Sequence, residues 1–174
     1  MPRRVLAIAI GAALFVGGFA LAAPQKDAYK LTANLKARFE VPGPRGVPAG
    51  ATGLFSGTAV EQANDRARLS WRLTFSKLSG RAIAAHIHIG RAGKAGPVMV
   101  ALCGPCRNGQ RGVTTISHNQ LRSISAGRTY VNVHTAKNAA GEIRGQVKAS
   151  ETSDDGTTSS QSTGMTTTTV PYHP

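Results

Sequence analysis

The stretch Ala85-His86-Ile87-His88-Ile89-Gly90 alternates apolar and imidazole side chains. Because successive side chains of a β-strand point to opposite faces, this alternation predicts a strand, which we expect over residues 82–89. Ile87 and Ile89 are expected to face a core. The two histidines then stand side by side on the other face.

A second stretch, Tyr130-Val131-Asn132-Val133-His134-Thr135, repeats the pattern. Its two valines form an apolar row, which puts Tyr130, Asn132 and His134 together on the opposite face. If the two strands are neighbours, three imidazoles meet on the outside of a β-domain.

Three converging imidazoles suit a transition metal, because copper and zinc both accept imidazole nitrogen as a ligand. Two histidines at positions i and i+2 project in parallel, and a third from a neighbouring strand completes a three-nitrogen site open to water or substrate. The predicted ligands are His86, His88 and His134. Tyr130 and Asn132 are predicted outer-shell groups. The alternative is structural: the histidines hydrogen-bond to neighbouring backbone or to each other and fix the loops, and Tyr130 and Asn132 pack across strands.

The remaining patterns predict an all-β domain. The clearest strand covers residues 66–78, where one face carries Leu69, Trp71, Leu73 and Phe75. Further strands are predicted over residues 29–41, 51–61, 97–102 and 142–149, and the first of them is expected to bury Phe39. Residues 107–116 form a polar, Gly-containing stretch without a predicted element. Ser117 is a plausible N-cap for one short helix over residues 117–124. Such spacing indicates an antiparallel Greek-key sandwich or barrel.

The two ends of the chain differ from the middle. Arg3 and Arg4 precede an apolar run over residues 5–19, and Ala20-Leu21-Ala22 is typical of a signal-peptidase site. We therefore expect a signal peptide over residues 1–22 and export to the periplasm or the outside of the cell. An uncleaved membrane anchor is the alternative, although the run is short for a bilayer. Residues 150–174 contain 13 Ser or Thr and are predicted to be disordered, which leaves a domain over residues 23–149.

Positive charge is concentrated in that domain. The whole chain carries +13, and residues 23–149 carry +14, because two arginines precede this range and three acidic residues follow it. Such a field attracts anions, so the candidate partners are an anionic envelope polymer or another extracellular protein. The alternative is that the charge serves only solubility and loose adhesion to an acidic envelope. Aromatic residues make up only 5% of the chain and no nucleic-acid module is apparent, so nucleic acid is not an expected partner. After signal cleavage, no stretch is apolar enough for a membrane span.

The segment Cys103-Gly104-Pro105-Cys106 has the spacing of a redox motif. In an exported chain this spacing favours a local disulfide between Cys103 and Cys106. A reactive dithiol and a metal–thiolate site are the alternatives that the spacing leaves open.

Four ordered blocks of sequence resemble the CHRD domain, named after chordin. The blocks are Ala85-His86-Ile87-His88, Gly96-Pro97-Val98, residues 126–135 and residues 141–146. The resemblance covers roughly residues 28–149. It implies an extracellular β-domain, and it implies no particular biochemical activity, since the family has no agreed one.

The histidine strands also show a weaker similarity to copper/zinc superoxide dismutase. His86 and His88 match the paired copper ligands, and His134 matches the late one. Arg144 loosely resembles the arginine that guides the anionic substrate. The similarity implies copper as the candidate cofactor, but no Asp or Glu lies between residues 66 and 141 to build a zinc cluster. We therefore expect a non-enzymatic binding or adhesion module at the cell envelope, with a copper-binding protein as the alternative.

Overall fold

Nine strands form one sheet in the computed structural model, which describes residues 27–152. The strands are β1 (Ala28–Lys36), β2 (Thr52–Gln62), β3 (Arg66–Ser76), β4 (Ala82–Ile89), β5 (Val98–Cys103), β6 (Gln110–Ser117), β7 (Thr129–Thr135), β8 (Ile143–Gln146) and β9 (Lys148–Thr152). A 3-10 helix covers Ala37–Phe39, and one α-helix, α1, covers His118–Ser125. Neither of these helices has the length and apolar character that crossing a bilayer requires.

The order of strands brings distant segments together. Along the sheet the order is β5-β4-β7-β8-β1-β2-β3-β6, with β9 also pairing with β1, and all pairings are antiparallel. The neighbours β4 and β7, β8 and β1, and β3 and β6 come from separate parts of the chain. Because the edge strands β5 and β6 approach one another, the sheet is almost a closed barrel. The predicted all-β antiparallel fold with one short helix is confirmed.

Apolar side chains on the inner face form one core. Leu69 and Leu73 of β3 are fully buried, as are Leu35 of β1 and Ile87 of β4. Burial of each such side chain stabilises the fold by about 1.5–3 kcal/mol. The alternation seen in the sequence therefore marks the inner face correctly along most of these strands.

Two side chains that alternation assigns to the core are exposed instead. β1 ends at Lys36 and the chain turns through the 3-10 helix, which leaves Phe39 43% exposed. Ile89 is the last residue of β4 and is 39% exposed, because the strand has passed the core by that point. A period of two predicts burial only while a strand continues across the core.

The strand β6 occupies part of the polar stretch for which no element is predicted. It pairs with β3 from Gln110 to Ser117. Its apolar signal is weak because only Ile116 of its side chains is buried, whereas Val113 is exposed. Gly112 lies so close to the ring of Trp71 that a Cβ atom there would clash with it.

The end of the domain also differs from the prediction. The strand expected over residues 142–149 is divided at Val147, whose backbone N–H donates to Thr129. β9 then continues to Thr152, so ordered structure extends beyond the predicted boundary at Ala149. The predicted signal peptide and the remainder of the predicted disordered tail lie outside the described residues.

The predicted short helix and its N-cap are confirmed. Ser117 and Gln120 form a capping box, in which each side chain accepts a hydrogen bond from the backbone N–H of the other. Leu121 and Ile124 are buried, as their spacing predicts.

Cys103 and Cys106 form a disulfide, and the described residues contain no free cysteine. The predicted disulfide is therefore confirmed. The Cys106 backbone N–H donates to the Ala82 carbonyl at 3.1 Å, so the closed loop is tied to the start of β4.

Candidate metal centre

The pairing of β4 with β7 brings the three histidines together. His86 is the register partner of Asn132, and His88 that of Tyr130. His134 lies two residues beyond Asn132, on the same face. One nitrogen from each imidazole lies within 4.8 Å of the corresponding nitrogens of the other two.

Backbone carbonyls orient two of the imidazoles. Nδ1 of His88 lies 2.9 Å from the Gly96 oxygen, and Nδ1 of His134 lies 2.9 Å from the Ala139 oxygen. Because a carbonyl oxygen only accepts, each Nδ1 carries the proton and each Nε2 keeps a lone pair. Metal-ligating histidines are commonly oriented by an outer hydrogen bond of this kind.

His86 contacts the cluster through its Nδ1, whereas His134 uses its Nε2. Nδ1 of His86 lies 3.0 Å from Nε2 of His134. Since that Nε2 is an acceptor, Nδ1 of His86 donates. The nitrogens available to a metal are therefore Nε2 of His88, Nε2 of His134 and, after loss of one proton, Nδ1 of His86.

Although the histidines lie on the outer face of the sheet, they are shielded from water. His88 is 8% exposed and His134 is 7% exposed, while His86 is half-buried. Burial is the main cause that lowers the pKa of each imidazole. Neighbouring histidines, and Arg144 in the case of His88, act in the same direction, so all three favour the neutral form that binds metals.

Unsatisfied polar atoms mark the same face. Three buried side-chain atoms here have no hydrogen-bond partner among residues 27–152: Nε2 of His88, Oδ1 of Asn132 and Nη1 of Arg144. Their strands β4, β7 and β8 are adjacent, and Asn132 is in register with Arg144. Buried polar groups nearly always have a partner, and an ion or water often supplies it.

Tyr130 and Arg144 support His88. The Tyr130 ring stacks on the His88 imidazole with centroids 4.9 Å apart and planes 11° apart. The guanidinium carbon of Arg144 lies 3.3 Å from the centroid of the same tyrosine ring. Nη2 of Arg144 also donates to the carbonyls of Arg91 and Lys94, at 3.0 and 2.8 Å. Arg144 is only 1% exposed, so it holds the Arg91–Lys94 loop against the histidine face from within the fold.

Two buried carboxylates near this face were not singled out from the sequence. Glu40 accepts a hydrogen bond from Nδ2 of Asn132 at 3.4 Å, and burial raises the pKa of its carboxyl. Glu142 accepts hydrogen bonds from Ser79, Thr135 and Asn138. Burial alone would raise the pKa of Glu142, but these hydrogen bonds outweigh it and lower the pKa. In the sequence, the signal that could have drawn attention to these two carboxylates is the scarcity of acidic residues, since the chain has eight.

Fold and site together define an antiparallel β-domain, almost a closed barrel, that carries a cluster of three histidines on one face of its sheet. The sequence model of the CHRD domain matches residues 31–147, and the chain belongs to that family. The resemblance stated from the sequence is thereby confirmed. Comparison with curated proteins and with solved structures returned no match, so the similarity to copper/zinc superoxide dismutase has no support from them.

Proposed function

We propose that this CHRD-domain protein is an exported binding module that holds one copper ion through His86, His88 and His134. The observation that carries the proposal is the buried Nε2 of His88, which has no hydrogen-bond partner in the described part of the chain. The side chain of Asn132 lies beside His88, and one nitrogen of each of the three imidazoles lies within 4.8 Å of the other two. The cost of an unsatisfied buried nitrogen is removed if its lone pair binds a metal.

The size of the cluster fits a metal after a small adjustment. Zn–N distances are about 2.0–2.1 Å, so two ligands of one ion lie at most about 4.2 Å apart. In a tetrahedral site two ligand nitrogens lie about 3.4 Å apart, which is close to the His86–His134 separation of 3.0 Å. All three nitrogens lie within 4.8 Å of one another, so bringing them to a common ion needs side-chain movements of up to about 1.4 Å.

Copper is the preferred ion among the divalent metals that imidazoles bind. Affinity for a given nitrogen site rises along the first row to Cu(II) and falls at Zn(II). Three nitrogen ligands also leave one position open for water or another small ligand. The protein's own residues would orient the imidazoles, through Gly96 and Ala139, and exclude water from most of the cluster.

Metal content after loading tests the proposal. The purified protein is loaded with Cu(II) or Zn(II), dialysed and analysed, and we expect one ion per chain. Replacing the three ligands together with Asn is expected to abolish retention. His118→Asn is the matched control, because His118 lies outside the cluster and pairs with Glu61 at 3.1 Å. No retained metal, or equal retention by the triple variant, would remove the proposal.

Export is supported by two independent features of the chain. An apolar run over residues 5–19 follows Arg3 and Arg4, as in a signal peptide. The Cys103–Cys106 disulfide suits an oxidising compartment, either the periplasm or the outside of the cell. Mass spectrometry of the protein from cell fractions tests this: we expect an N-terminus at Ala23 and absence from the cytoplasm.

A second candidate function is adhesion to an anionic envelope polymer. Arg72 of β3 and Arg111 of β6 are exposed register partners, although like charges directly opposite one another destabilise a sheet. An anionic chain lying across both strands would neutralise this pair. The test is retention on immobilised heparin, which should weaken with salt and with the double variant Arg72→Gln/Arg111→Gln. Arg122→Gln/Arg128→Gln removes the same charge elsewhere; equal weakening by both variants would contradict a localised site.

A further inference from the structure

A cavity of about 460 Å³ lies beside β1 and β8, and no histidine is among its lining residues. The 3-10 helix and the loop after β4 complete its wall. Its chemistry is set by six lining residues: Arg38, Phe39, Val41, Arg144, Gln146 and Lys148. A cavity of this size accommodates a small organic molecule.

The charge on its walls has one sign. Arg38, Arg144 and Lys148 are all cationic, and none of the described residues that line the cavity is acidic. Arg38 and Lys148 are exposed, whereas Arg144 is 1% exposed and its Nη1 has no hydrogen-bond partner in residues 27–152. The positive charge of Arg144 would attract an anion in the cavity, and a direct hydrogen bond to its buried Nη1 would need a small movement of the side chain.

Apolar side chains form another part of the wall, beside the polar Thr32, Asn34 and Gln146. Phe39 is 43% exposed, and it is the only aromatic side chain among the large exposed apolar residues of the described region. The guanidinium carbon of Arg38 lies 4.8 Å from its ring centroid, so charge and apolar surface are adjacent. Val41 extends the apolar surface. Exposed apolar side chains that line a concave surface commonly mark a ligand site.

We propose that this cavity binds a small organic anion, with a carboxylate at the Arg144 end and an apolar body against Phe39 and Val41. The cationic walls select the acid group, and the apolar wall selects a molecule larger than an inorganic ion. The site shares Arg144 with the surroundings of His88 but uses no metal ligand. Anion binding in this cavity can therefore be tested independently of copper binding.

The test uses an anionic fluorescent probe, 8-anilinonaphthalene-1-sulfonate, with EDTA present so that the histidine site is empty. We expect saturable binding of one probe per chain. Decanoate should displace the probe, and decyltrimethylammonium, which has the same chain length and the opposite charge, should not. The variant Arg38→Gln/Lys148→Gln should weaken probe binding about fivefold, as expected for the loss of two partly screened charge contacts.

The matched control is Arg81→Gln/Arg107→Gln, which removes the same charge at two exposed positions that do not line the cavity and should bind the probe like the parent protein. Near-UV circular dichroism checks that both variants are folded. Three results would overturn the proposal: no saturable binding by the folded parent protein, equal weakening by the two variants, or displacement by the cationic amphiphile as readily as by decanoate.

Discussion

Nδ1 of His86 and Nε2 of His134 lie 3.0 Å apart and join β4 to β7 across 48 residues of sequence. His134 must accept this hydrogen bond, because its Nδ1 already faces the Ala139 carbonyl. The metal-free protein therefore has a defined proton on Nδ1 of His86. A metal ion held by both residues needs that proton removed.

The first prediction concerns this proton. In the metal-free protein near neutral pH, we expect His86 to be protonated on Nδ1, and His88 and His134 likewise. Zinc, which is diamagnetic, should move the His86 proton to Nε2 and leave the other two tautomers unchanged. Long-range ¹H–¹⁵N correlation spectra of the imidazoles measure this directly. A His86 proton that stays on Nδ1 in the zinc-loaded protein would contradict the ligand assignment.

The second prediction concerns pH and Glu142. Its pKa is lowered from 4.5, so the folded state binds fewer protons than the unfolded state. The stability that this carboxylate contributes is present above pH 4.5 and is lost as the pH falls through its lowered pKa. Glu142→Gln should cost about 2–3 kcal/mol near neutral pH, since hydrogen bonds to a charged group are lost.

Urea unfolding at several pH values measures this effect. The difference between parent and variant should narrow steadily below pH 4.5. Glu61→Gln is the control, because the Glu61 carboxylate pairs with the partly exposed His118 and the substitution should cost less than about 1 kcal/mol. A Glu142→Gln cost that is the same in acid as at neutral pH would show that the carboxylate charge is not what stabilises this network.

The third prediction concerns the junction of β1 and β8. A Cβ atom on Gly145 would overlap the backbone carbonyl of Asn34 in β1. Gly145→Ala should therefore push the strands apart and destabilise the fold by about 1–3 kcal/mol. Gly80→Ala is the control, because nothing lies near its Cβ position and its effect should stay within about 0.5 kcal/mol. Equal unfolding midpoints for the two variants would mean that β1 and β8 do not approach so closely.

The fourth prediction concerns the disulfide. Cys103 and Cys106 are three positions apart, and a loop this short stabilises the fold by about 2 kcal/mol through chain entropy. Cys103→Ser/Cys106→Ser should lower stability by that amount at most and leave copper stoichiometry unchanged. Parallel unfolding and metal-content measurements check both statements. Loss of copper binding in this folded variant would point to thiolate ligands instead.

Much of the fold follows from local alternation. The boundaries of β4 and the common face of the histidines in β4 and β7 can be predicted, because a period of two depends only on the strand itself. Phe39 and Ile89 show where this reasoning ends. Alternation does not reveal where a strand leaves the core, and both side chains lie beyond that point.

The surroundings of the site could not be predicted, because they depend on tertiary contacts. Asn132 meets Glu40 across 92 residues, and Arg144 reaches the carbonyl of Arg91 across 53. No local pattern encodes such distances. β6 was missed for a different reason: Gly112 and the exposed Val113 obscure its alternation, and pairing with β3 overrides its weak local preference.

The central claim is that imidazoles from two strands share one metal ion. Pulsed electron paramagnetic resonance of the protein loaded with one Cu(II) counts the imidazoles bound to copper. We predict three in the parent protein and two in each of His86→Asn, His88→Asn and His134→Asn, while His118→Asn retains three. A spectrum without imidazole coupling, or a count that these substitutions leave unchanged, would contradict the claim.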